Sequence, residues 1–301
     1  MYFYLMKKRL FFLTVVLIGN IAIAQKPATF KSSKTDNTLL WEISGNSLSA
    51  PSYLFGTFHL ICKEDIPIGT QLKTAVATAK EMYMELDMDD PATMLGGLMM
   101  MSMKGETTLQ SLYTEAEYKK LETFFKDSLH TSLGMFKKTK PFFLSAMLYP
   151  KMLPCKTMTG VEEQLMQLAK QNKKQIQGLE TMAFQASVFD SIPYKDQAKE
   201  LLKSIDSMDT YKKYFAKMVQ VYKNQELKKI AVLFNDNEFG MQNNQDILLD
   251  KRNANWVVKL KEIMQNESVF IAVGAGHLVG EKGLIKLLRK AGYTVRALEN
   301  K

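Results

Sequence analysis

Short unbroken apolar runs alternate with long amphipathic stretches along the chain. Residues 269–273 (VFIAV) form the most apolar of the short runs, of the kind that suits a strand buried on both faces. Residues 39–43 and 53–55 are two more, separated by Gly45, Asn46 and Pro51, and together they predict a hairpin. Residues 82–86 (MYMEL) predict a strand that ends near its one acid, Glu85. Residues 174–179 (KQIQGL) predict another strand, leading into Glu180. Helical spacing covers 70–80, with Leu72, Val76 and Ala79 on one face. Thr114 and Glu117 make a capping box ahead of a periodic run to about Leu129. Residues 140–153 and 161–172 predict further helices. So do most of 181–223 and 225–265, with breaks near Pro193 and at Asp236-Asn237. At the end, a helix over 283–290, a stop at Gly292 and a strand over 293–298 follow the apolar run. This order predicts a βαβ unit with parallel strands and a right-handed crossover.

The first residues stand apart. Lys7, Lys8 and Arg9 precede an apolar run from residue 10 to 23, and Ala22-Ile23-Ala24 closes it. Basic, apolar, then small residues is the order of a secretory signal peptide, so residues 1–24 are expected to be removed and the protein to be periplasmic or secreted. The run is short for a membrane span. Residues 25–37 are polar and predict a flexible leader before one domain over 38–301. The net charge is +9. Losing three cations and no acids with the signal leaves +6, spread among scattered lysine pairs. No basic stripe is interleaved with aromatics, which argues against nucleic-acid binding. Cys62 and Cys155 are the two cysteines. An exported chain can join them, and two buried thiols are the alternative.

Two of the three histidines share a context. YLFGTFH at 53–59 and FIAVGAGH at 270–277 each run from an apolar strand through a glycine and two residues to a histidine, His59 and His277. With 16 glycines in 301 residues, chance gives about 0.16 such matches. The glycine lets the chain turn off the strand. The histidine then projects over the strand's carboxyl end, where α/β sheets bind ligands. Glu85 ends a third strand, so two imidazoles and a carboxylate are expected to converge. Such a trio can hold a divalent metal, zinc included, and activate water. It can also work without metal, one histidine acting as base and the glutamate orienting it. Glu180 ends a strand as Glu85 does and is a candidate base at the same crevice. Arg252 opens a helix and is a candidate clamp for a carboxylate or a developing oxyanion. His130 closes a surface-like helix and is expected to be exposed. The methionine-rich stretch at 94–103 suits either a helix core or an adaptable peptide groove roofing the site.

These motifs resemble one family. YLFGTFH, MELD at 84–87, GLE at 178–180, RN at 252–253 and AVGAGHLVGEKGLIKLLRKAGYTV at 272–295 are similar to the TraB/GumN family, whose animal relatives are the Tiki metalloproteases. The resemblance implies an α/β (α+β), erythromycin-esterase-like fold: a mixed central sheet with flanking helices and a large helical insertion, here about 90–265. It implies a site at His59, Glu85 and His277, and dependence on manganese or cobalt as in the Tiki branch. The expected activity is metal-dependent hydrolysis of a peptide or protein substrate, with Arg252 and Glu180 assisting. Two alternatives are a non-catalytic protein that sequesters a peptide, as in pheromone shutdown, and a metal-independent esterase-like enzyme. The chain stops soon after its last strand, without the C-terminal membrane helix of tethered Tiki proteins, so no membrane span is expected after signal cleavage.

Overall fold

The computed structural model describes residues 29–153, 155–234 and 244–301. The expected signal peptide and the expected break at Asp236-Asn237 lie outside the described residues. Among the described residues eight strands are present: β1 (Leu40–Ser44), β2 (Ser52–Thr57), β3 (Ile61–Cys62), β4 (Glu81–Met84), β5 (Met158–Thr159), β6 (Ile176–Gly178), β7 (Val269–Gly274) and β8 (Thr294–Ala297). Six of them form a mixed sheet in the order β6-β4-β7-β2-β1-β8. β6, β4, β7 and β2 run parallel, while β1 is antiparallel to both β2 and β8. The most apolar strands take the middle places. Phe270, Ile271, Tyr53, Leu54 and Phe55 are all buried, each contributing roughly 1.5–3 kcal/mol by leaving water.

The helices are α1 (Thr70–Thr78), α2 (Pro91–Met100), α3 (Glu115–Leu129), α4 (Pro141–Ala146), α5 (Tyr149–Met152), α6 (Val161–Gln171), α7 (Met182–Asp190), α8 (Tyr194–Asp206), α9 (Met208–Lys223), α10 (Leu227–Phe234), α11 (Lys251–Asn266) and α12 (Leu284–Lys290). The capping box at Thr114 and Glu117 is present, and exposed His130 ends α3 in the left-handed region. Most of the stretch from 90 to 265 is helical, but β6 returns from it to the edge of the central sheet.

Three local expectations change. The 140–153 stretch is two short helices, because Pro150 lacks an N–H and opens α5 within its first turn. β7 and β8 do run parallel, but the β1–β2 hairpin lies between them. A strand as apolar as β7 needs a neighbour on each edge, and β4 and β2 fill both places. The polar leader is docked in its later part. Ser33 donates to the Ala297 carbonyl at 2.9 Å, Ser32 bridges to Leu298, and the Phe30 ring lies 5.0 Å from Tyr53. This segment partners the open edge that β8 would otherwise present.

β3 and β5 form a separate antiparallel pair. Cys62 and Cys155 are joined beside it, their Cα atoms 5.7 Å apart.

Candidate active site

The four parallel strands end level. Thr57 pairs with Gly274, and Met84 pairs with both Ala272 and Gly178. The residues that follow, His59, Glu85, Glu180 and His277, therefore leave the sheet on one side. Gly274 marks where they meet. A Cβ built on it would stand 3.3 Å from Glu85 Oε1, 3.7 Å from His59 Nε2 and 3.7 Å from His277 Cδ2. Its N–H donates to Glu85 Oε1 at 2.9 Å. Two imidazoles and a carboxylate thus share one point, as the repeated motif predicts. Gly56, the first motif's glycine, lets the strands close up there, since a Cβ on it would sit 3.1 Å from Ala275.

Arg252, in the first turn of α11, organises the interior. Nη2 donates to Glu85 Oε2 at 2.5 Å and to Glu180 Oε1 at 2.6 Å. Nε reaches both Glu180 oxygens at 3.1 Å. Nη1 donates to the Leu248 carbonyl at 2.9 Å and faces His277 Nε2 at 3.1 Å. All five guanidinium N–H groups are engaged. Arg252 therefore holds the two carboxylates and the imidazole in place, and as arranged it has no N–H left for an oxyanion. Glu180 also accepts from Trp256 Nε1 at 3.1 Å and Gln185 Nε2 at 3.1 Å. It is buried with both oxygens held by Arg252, Trp256 and Gln185, which suits an anchor better than a base.

The tautomer of His277 follows from its partners. Asn253 Nδ2 donates to the carbonyls of His277 and Lys282, at 3.2 and 2.9 Å. Its Oδ1 therefore faces His277 Nδ1, 2.7 Å away, and Nδ1 carries the proton. The Nε2 lone pair is left to accept from Arg252. Burial lowers the His277 pKa to about 3, with Arg252 and His59 adding to the effect and Glu85 opposing it. The ring is neutral and lies 4.5 Å from that of Trp256.

His59 is the open member, its side chain 72% exposed against 13% for Glu85. Nδ1 lies 2.8 Å from Glu162 Oε1, which also accepts from Thr57 Oγ1 at 2.5 Å. The Glu162 charge, with its hydrogen bond to Nδ1, raises the His59 pKa to about 9. Burial pushes Glu85 up, but His277, Arg252, His59 and the Gly274 N–H outweigh it and hold the carboxyl at about 2. At neutral pH a carboxylate and a protonated imidazole face the Gly274 point together.

A shared divalent cation does not fit this arrangement. Glu85 Oε2 and the His277 Nε2 lone pair both point at the guanidinium, whose charge stands between them. Among the described residues no three His, Cys, Asp or Glu side chains are arranged to hold an ion.

Glu162, Gln185 and Trp256 were not singled out by the sequence pattern, and Asn253 entered it only as the second residue of the RN pair at 252–253. Glu162 looks like any acid in a first helical turn. Trp256 lies one turn beyond Arg252 on α11, so helical spacing does place the two on one face.

A model of the TraB/PrgY/gumN family matches residues 39–297. Among curated proteins, the chain is 21% identical to a protein named Metalloprotease TIKI homolog from Amphimedon queenslandica. That match covers 89% of this chain and 62% of the relative, so the chain spans less than two thirds of it. It is 26% identical to Uncharacterized protein YbaP of Shigella flexneri, over 79% of this chain and 88% of that one. The Escherichia coli K12 protein of the same name is 25% identical, over 79% and 87%. No solved structure matches the chain.

Proposed function

The chain belongs to the TraB/PrgY/gumN family, and on that premise we propose that it is a hydrolase whose reaction centre lies over Gly274, between Glu85 and His59. The observation that carries this reading is the approach of Glu85 Oε1 and His59 Nε2 to within 4 Å of the point a Gly274 side chain would fill. A water held above that point, between Glu85 Oε1 and His59 Nε2, donates a proton to Glu85 as its oxygen attacks an acyl carbon. His59 gives the Nε2 proton to the leaving group as the acyl bond breaks. Glu162 holds the His59 ring and balances its charge, while Arg252 keeps Glu85 ionised and aimed. The substrate class is a peptide or protein, by the chemistry named for the Amphimedon relative.

That relative's name also favours a second reading, a metal-dependent peptidase at the same residues, for which Arg252 would have to release Glu85 and His277. Assay of purified protein on peptide and acyl-ester panels, with chelator and with added manganese, separates the two. The first reading expects turnover that survives the chelator. Turnover only after manganese addition supports the second. Peptide binding that survives His59→Ala and Glu85→Gln, with no turnover anywhere, makes the protein a sequestering one instead.

Export belongs to the same proposal. The basic, apolar and small residues of 1–24 support it, as does the Cys62–Cys155 bond, which suits an oxidising compartment. Among the described residues no helix is long and apolar enough to cross a membrane. Mass spectrometry of the mature N-terminus tests the cleavage, which is expected to leave Gln25 first.

A further inference from the structure

Helices α9 and α10 supply no group to the proton transfers, yet together they grip both histidine motifs. On α9, Phe215, Val219 and Tyr222 recur at helical spacing and are buried. On α10, Leu227, Ile230 and Leu233 are buried in the same way, and Phe234 closes the helix beside them. The Tyr214 hydroxyl donates to the Leu233 carbonyl at 2.7 Å and joins the two helices.

α9 meets the first motif. Tyr222 is fully buried, and its hydroxyl donates to the Gly56 carbonyl at 2.8 Å. The Phe58 ring, one residue before His59, lies 5.1 Å from the Tyr222 ring and 5.8 Å from that of Phe215. Beyond His59 in the chain, Asp65 pairs with Lys223 at 2.5 Å. One helix thus holds the chain on both sides of the His59 imidazole.

α10 meets the second motif. A Cβ on Gly276 would stand 2.8 Å from Phe234 Cζ and 3.0 Å from Cε1. The ring fills the place of the side chain that Gly276 lacks. Gly276 is not among the glycines with positive φ, so it is this ring, and not the backbone conformation, that calls for glycine next to His277. The two motif turns also touch each other, since a Cβ on Gly56 would stand 3.2 Å from Leu278 Cδ2. In an interior packed this closely, a shift of one turn is passed to the other.

Resting on the hydrolase reading above, we propose that Tyr222 and Phe234 are positioning residues, through which the α9–α10 pair sets His59 and His277 over the Gly274 point as one unit. Each acts through the turn it holds. A misplacement of about 1 Å can cost about a hundredfold in rate, so a hydroxyl and a ring that hold these turns govern turnover.

Tyr222→Phe keeps the ring against Phe58 and removes only the hydroxyl. It is expected to lower kcat about tenfold and leave KM unchanged. The His59 imidazole faces Glu162, Glu85 and Arg252. As the Glu162 contact loosens in this variant, NMR of histidine-labelled protein should show the His59 titration moving from about 9 towards the ordinary 6.5. Gly276→Ala should lower kcat about tenfold or more and shift the His277 Nδ1–H resonance. Phe234→Leu added to the same chain should recover most of both, because leucine lacks the ring atoms that the methyl group strikes. An unmoved His59 titration or an unchanged kcat in Tyr222→Phe overturns the role of Tyr222, whatever happens to the melting temperature. A Gly276→Ala defect that Phe234→Leu does not relieve, or no defect at all, overturns the role of Phe234. A wild-type protein that turns over no substrate sinks the hydrolase reading alone, and the two histidine resonances still decide the positioning.

Discussion

Arg252 touches Glu85, Glu180 and His277 at once, so its removal leaves two buried carboxylates facing each other. Arg252→Ala is expected to cost about 3–5 kcal/mol of stability, read by urea unfolding, and to abolish turnover. Arg252→Lys supplies one point charge in place of a planar fork and is expected to recover part of the stability but little activity. The two histidines pull stability in opposite directions with pH. His277 is held near 3 against an ordinary 6.5, so the unfolded chain binds the extra proton and stability falls as pH drops from about 6.5 towards 3. His59 is raised to about 9, so its contribution is complete below 6.5 and is lost as pH rises through 9. Thermal melts across pH should therefore peak near neutrality, and Glu162→Gln should flatten the alkaline side. A melting temperature that climbs steadily from pH 6.5 to 9 would contradict the His59–Glu162 pairing. His59, Glu85 and His277 were legible because two of them repeat one motif. Arg252 and Glu180 were legible as neighbours of that trio, but Glu162 was not, because an acid in a helix's first turn looks alike whether it caps the helix or holds an imidazole.

At the level of elements, level strand ends bring distant segments together, and the strand pattern was legible for the same reason that it works: β7 and β2 are apolar on both faces. The sheet order was not legible, because strand pairing is decided by which edges remain to be filled. The turn preceding α11, Asp246–Asp250, is π-helical. Its Leu248 carbonyl accepts from the Arg252 side chain, a device that aims a functional residue. The β3–β5 pair does similar work at the other imidazole. β3 follows His59 almost at once, β5 just precedes Glu162, and the Cys62–Cys155 bond ties the two segments. The bond closes a loop of 93 residues, and a loop of that size is worth up to about 4–5 kcal/mol. Cys62→Ser with Cys155→Ser should lower stability by roughly 2–5 kcal/mol in urea and reduce turnover as well, because the His59–Glu162 pair loses its brace. Full activity in the reduced protein would show that the brace is not needed.

Taken whole, the molecule is a mixed sheet whose parallel half carries the site and whose antiparallel half carries the structural edge. The docked segment from Phe30 to Ser33 shows why composition alone misjudged the leader: a polar stretch becomes ordered once a sheet edge offers it backbone partners. The helical stretch between β4 and β7 supplies the anchors and Arg252, so the site is shared between sheet and helices. The account as a whole depends on the meeting of Glu85 and His59 over Gly274, and Gly274→Ala addresses it directly. The Gly274 backbone lies at φ −50° and ψ 137°, which alanine adopts readily, and its nearest contact would be Glu85 at 3.3 Å. The variant is expected to melt within a few degrees of the wild type and to lose at least about a hundredfold in kcat/KM, about 2.7 kcal/mol of transition-state stabilisation. Wild-type turnover with a methyl group at that position would contradict the assignment of the reaction centre.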